Sequence, residues 1–173
     1  MTHSSRHAAP RGSRHSWSQP NHLYNRSLES LTGQHAREDE QRAFALNAQA
    51  AESGMHDAVL AMGWFYLNGV GVQQDIKQAL RWYRKSARQG DSRAMFSLGQ
   101  MAYDERDYAD AEVWFTRAAE KGHAVSLYWL GKFYWRGNCV LENRKEAMAL
   151  FQRAASKKVP AAQRMLRFLS RHP

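Results

Sequence analysis

Glycine recurs at a fixed pitch in this chain, and that pitch limits what the chain can fold into. Gly54 and Gly63, Gly90 and Gly99, and Gly122 and Gly131 each lie nine residues apart. Ala79, Ala111 and Ala147 follow in the same register, then the pairs Trp82-Tyr83, Trp114-Phe115 and Leu150-Phe151, then Ala87, Ala119 and Ala155. Successive glycine markers are offset by 36 and then 32 residues, and the second-helix markers by 32 and then 36, because the second copy is four residues shorter between its two helices. Self-similarity at such a period marks a repeat array, in which each unit buries its apolar face only against its neighbours. Within the first copy, Ala58 to Tyr66 reads as an apolar helix, Asn68 to Val72 as a glycine loop, and Asp75 onward as a second helix stopped by Gly90.

The predicted organisation is all-α: a lead-in helix over 36–53, three helical hairpins over about 54–89, 90–121 and 122–157, and a closing helix over 160–171. Gly63, Gly99 and Gly131 are expected to let each first helix approach Ala79, Ala111 and Ala147 of its partner, with Met62, Leu98 and Leu130 filling the adjacent space. Lys158 takes the helix-stop position of Gly122, and Arg167 takes the glycine position in the closing helix. An arginine fits there only where no second helix packs on it. Residues 1–20 are rich in Ser, His, Arg, Pro and Gly and can bury little surface, so residues 1–35 are predicted to be a mostly disordered basic tail with a short helix near 21–31.

Composition narrows the function classes. No apolar run approaches the ~20 residues of a membrane span and no apolar signal segment opens the chain, so a cytoplasmic protein is expected. Cys139 is the only cysteine, which excludes an intrachain disulfide and a cysteine metal cluster. Gly69-Val70-Gly71 lacks the lysine and hydroxyl of a phosphate loop. The acidic cluster Asp104, Glu105, Asp107 and Asp110 lacks the glycine and terminal glutamate of a calcium loop, and reads instead as a helix cap with its first turn. No cofactor is expected. The net charge of +9 is concentrated at the ends: residues 1–36 carry +3, 37–131 carry −2 and 132–173 carry +8.

The pattern Ala58-Met62-Gly63-Tyr66, the loop Gly69-Val70-Gly71-Val72, and then Asp75, Lys77, Ala79, Trp82, Tyr83 and Gly90 resemble the Sel-one-like repeat family, a branch of the tetratricopeptide-like solenoids. The resemblance covers about residues 36–171. The third hairpin departs from it with Cys139 at a glycine position and Asn143 for the aspartate, and the second drops the four-residue loop. What the resemblance implies is a right-handed α-solenoid of antiparallel hairpins, acting as a protein-binding scaffold or adaptor and not as an enzyme. In similar solenoids the first helices line a concave groove. Carried onto this chain, the groove comprises Leu60, Trp64 and Asn68; Phe96, Gln100 and Tyr103; Tyr128, Lys132, Trp135 and Arg136; and Arg164, Phe168 and Arg171. Aromatic side chains and arginine dominate binding hot spots, and the basic end of the groove suits a partner peptide or protein carrying an acidic group. The alternative is a nucleic-acid-associated accessory protein that uses the N-terminal tail and the stripe Arg164, Arg167 and Arg171 on phosphates.

Overall fold

The computed structural model describes residues 36–171, which form eight α-helices in antiparallel pairs. They are α1 (Ala36–Glu52), α2 (His56–Asn68), α3 (Ile76–Arg88), α4 (Ser92–Asp104), α5 (Tyr108–Glu120), α6 (Ala124–Arg136), α7 (Arg144–Ser156) and α8 (Pro160–Arg171). Helices α2 and α3, α4 and α5, and α6 and α7 are the three hairpins, flanked by the lead-in and closing helices. The tail and the short helix expected near 21–31 lie outside the described residues. None of the described helices is long and apolar enough to cross a membrane.

Local chemistry sets most helix boundaries. Asp75, Asp91, Asp107 and Asn143 each accept a backbone N–H of the first turn, at 2.9–3.1 Å, which satisfies a donor the helix cannot. A reciprocal bond from Glu146, expected from the Asn143-x-x-Glu146 spacing, is absent because the Asn143 N–H already donates to the Tyr134 carbonyl at 2.9 Å. Helices α2 and α6 end on Gly69 and Gly137, both left-handed at φ 67°. Lys158, at the position of the earlier glycine stops, adopts φ 62° despite its side chain.

The packing inside each hairpin corrects one expectation. Ala79, Ala111 and Ala147 are fully buried, but Gly63, Gly99 and Gly131 face the aromatic rings one turn further on. A methyl added at Gly63, Gly99 or Gly131 would lie 2.6–2.7 Å from the ring of Tyr83, Phe115 or Phe151 respectively. The alanines let the helices draw together, and the ring four residues on then reaches across onto the glycine. Phe115 is wholly buried, wedged by Phe96, Trp129 and Phe133 at centroid distances of 5.4–6.0 Å. Burying such a ring contributes about 1.5–3 kcal/mol.

Between hairpins, two devices hold the register. Arg93 bridges Asp57 on the preceding first helix and Asp91 at its own cap, each at 2.6 Å. Burial would raise the Asp91 carboxyl, but the hydrogen bonds and charge of Arg93 outweigh it and hold Asp91 below the ordinary carboxylate range. His123 stacks on Phe96 at 4.5 Å and shares a 2.9 Å hydrogen bond between Nδ1 and Ser126 Oγ. Burial lowers its pKa, with Arg93 lowering it further against the opposing pull of Asp91.

The glycine loop is the second device. Gly71, at φ 65°, presses so closely on the Glu40 carbonyl of α1 that any Cβ would clash with the backbone. The corresponding loop of the third hairpin docks on α5 at the same sequence offset of 31 residues, where the Cys139 thiol donates to the Tyr108 carbonyl at 3.2 Å. Partial burial and the nearby Glu112 and Asp107 push that thiol's pKa up, so it is not an activated nucleophile. The second hairpin lacks the loop, and Ile76 at the start of α3 is left 39% exposed.

Two outcomes follow from this packing. Gly99→Ala places a methyl against a ring that cannot swing away; overpacking costs ~1–3 kcal/mol against a helix-propensity gain of ~1. Urea denaturation should therefore show a net loss of up to about 2 kcal/mol, with unchanged helix content. His123 has a folded pKa below its unfolded value of about 6.5, so its contribution is present above that pH and is lost on acidification. Asp91 is also depressed and adds a further loss below about pH 4. Denaturation midpoints should fall from pH 7.5 to 5 in the parent chain, and His123→Asn should flatten that slope even if it lowers stability throughout.

Candidate partner-binding site

The structure divides the sequence-predicted groove residues into those that face solvent together and those that the packing consumes. Trp64, Leu67 and Asn68 on α2, and Ser97, Gln100, Met101 and Asp104 on α4, line an open cleft of about 310 Å³ with Tyr83 as its floor. The shared register of the two first helices brings these side chains together. Tyr83 is 3% exposed; burial pushes its pKa up to about 12, partly offset by a hydrogen bond with Ser97. Trp64 stands 43% exposed at the rim, edge-on to Phe65. Asn68 Nδ2 donates to the Trp64 carbonyl at 2.9 Å, which leaves its Oδ1 free to accept. Gln100 is exposed and makes no hydrogen bond among the described residues.

Four of the predicted groove residues are occupied by the fold itself. Leu60 is half-buried against the core between the first two hairpins. Phe96 packs on Phe115 and His123. Tyr103 meets Trp129 edge-on at 4.8 Å and also contacts Tyr108 and Phe133, so it joins the second hairpin to the third. Tyr128 lies against Phe151 at 5.7 Å. An aromatic stripe at helical spacing is as useful to the neighbouring unit as to a ligand.

The C-terminal part of the face is cationic. Lys132 Nζ sits 3.9 Å from the Trp129 centroid, and its pKa is lowered by burial first and by Arg136 second. Among the described residues no carboxylate lies within ion-pairing distance of Lys132. Trp135 holds the Arg144 guanidinium at 5.0 Å. Arg164, Phe168 and Arg171 are exposed on α8, as is Arg167, which no helix covers among the described residues. The sequence reading did not single out Tyr83, Ser97 and Met101 as cleft residues. Ser97 precedes the glycine marker Gly99 by two positions, which gave a register signal for one of them; Tyr83 was legible only as core.

This geometry is that of a helical-repeat solenoid. The chain belongs to the Sel1 repeat family, which matches residues 23–55, 56–91, 92–123 and 124–159. The first of these units makes α1 the second helix of a further repeat, in addition to the three hairpins counted from the glycine pitch; its opening residues lie outside those described. Among relatives, human protein sel-1 homolog 2 is 36% identical over 137 residues, covering 77% of this chain and 20% of that protein. Chitin synthase regulator SKT5 of Saccharomyces cerevisiae is 32% identical over 124 residues, covering 68% of this chain and 18% of that protein. The chain thus spans about a fifth of the length of these curated relatives. A Sel1 repeat protein from Oxalobacter formigenes superposes with a TM-score of 0.76 at 30% identity, over 83% of this chain and 60% of that one. The protective antigen c5321 of uropathogenic Escherichia coli superposes with a TM-score of 0.72 at 27% identity, over 82% of this chain and 31% of that one. Sel1 repeats generally mediate protein–protein interaction.

Proposed function

We propose that the chain is an interaction scaffold that holds an extended or helical segment of a partner protein along its first-helix face. An acidic group of that segment lies near Lys132, Arg136, Arg164 and Arg171. The carrying observation is the α2–α4 cleft, about 310 Å³, where Trp64 and Met101 offer apolar surface beside the amides of Asn68 and Gln100. Amide side chains match the donors and acceptors of a peptide backbone, and a rigid aromatic rim excludes water from them. Burial first and the Arg136 charge second disfavour the charged form of Lys132, and an anionic partner group at this end of the face would offset both.

Selection from a random library of displayed peptides on the full chain tests this reading. Peptides that bind should lose about tenfold or more in affinity for Trp64→Ala/Gln100→Ala, as loss of hot-spot groups does. Those bearing acidic residues at one end should also weaken on Lys132→Ala/Arg136→Ala. Circular dichroism confirms that the variants fold. Binders whose affinity is untouched by both pairs of substitutions would sink the proposal.

A further inference from the structure

A second notch lies between α3, α4 and α5. Arg84 and Arg88 on α3 and Arg117 on α5 converge on a cavity of about 360 Å³ whose apolar lining is Ala87, Met95 and Trp114. All three arginines are exposed, and among the described residues none forms an ion pair. Arg93, by contrast, is answered by two carboxylates. The notch is also pre-shaped. Arg117 lies over the Trp114 ring at 5.1 Å, and Arg88 Nε donates to the Arg84 carbonyl at 3.3 Å. The Trp114 indole N–H donates to Asp110 at 3.1 Å, which fixes the ring that forms one wall.

We infer that this notch is a docking site for an acidic segment of a partner protein, distinct from the first-helix face, in which one large apolar side chain enters against Met95 and Trp114 while flanking carboxylates pair with Arg88 and Arg117. Charge complementarity selects the occupant. Guanidinium groups held around an apolar recess suit carboxylates, which they engage in paired hydrogen bonds. A nucleic-acid backbone would need cations continuing along the surface. Here the neighbouring recess of about 80 Å³, which shares Arg84 and Trp114, is lined by Glu105, Asp107 and Asp110. Those carboxylates interrupt any phosphate track and direct the occupant's acidic groups to the Arg88 and Arg117 end.

The test is selection of displayed random peptides on the full parent chain and, in parallel, on Arg88→Glu/Arg117→Glu, a pair of exposed positions whose change leaves the core intact. The parent should enrich peptides in which acidic residues flank a Leu, Ile, Met or Phe. Their affinity should drop about tenfold or more on the charge-reversed variant and persist on Trp64→Ala/Gln100→Ala, which separates this site from the first-helix cleft. Raising the salt should weaken the same peptides. Absence of acidic enrichment, or equal binding to the charge-reversed variant, would overturn the assignment. So would a single-stranded oligonucleotide that binds through the same arginines more tightly than any selected peptide.

Discussion

The contact on which the rest of the structure depends is a bare helix backbone under an aromatic ring, made three times by Gly63 with Tyr83, Gly99 with Phe115 and Gly131 with Phe151. It fixes how near the two helices of a hairpin come and how they are rotated about their axes. The Phe115 ring that lies on Gly99 has other edges that meet Trp129 and Phe133 of the following hairpin. One side chain therefore sets the geometry inside a unit and passes it to the next. Packing of this kind leaves little slack, since protein interiors are as dense as organic crystals.

That dependence explains what the amino-acid sequence disclosed and what it withheld. Helix starts were legible at Asp75, Asp107 and Asn143, whose side chains act on their own first turns; the same cap by Asp91 was not. Repeat register was legible because glycine and alanine recur together. The partner of each glycine was not, because periodicity assigns a residue to a face without saying how far along that face a large ring reaches. The same ambiguity separates Trp64 from Tyr103. Both occupy a first-helix face at helical spacing, yet Trp64 rims an open cleft while Tyr103 is held by Tyr108, Trp129 and Phe133. The second-helix notch left no trace in the pattern. Arg84, Arg88 and Arg117 come from two helices, and only the arrangement of α3 and α5 around Met95 of α4 gathers them.

The two faces differ in how their polar groups are answered. On the first-helix side, Arg93 is answered internally by Asp57 and Asp91. What stays available there is amide and aromatic surface in the cleft, with cations further along. On the second-helix side the available groups are guanidiniums around an apolar recess. One set of hairpins thus presents two chemically different recesses, one lined by α2 and α4 over Tyr83 and one between α3, α4 and α5.

The missing loop of the second hairpin bears on how such an array could be rebuilt. In the first and third hairpins the loop seats itself on a carbonyl of the second helix before it, at Glu40 and at Tyr108. The start of α3 receives no such loop, and Ile76 stands open in its place. The units are therefore not interchangeable cassettes. Transposing the first hairpin into the middle would bring a loop down on α3, and moving the second to the end would strip one from α5. Unit order is written into the array by the places where one hairpin is built to receive the next.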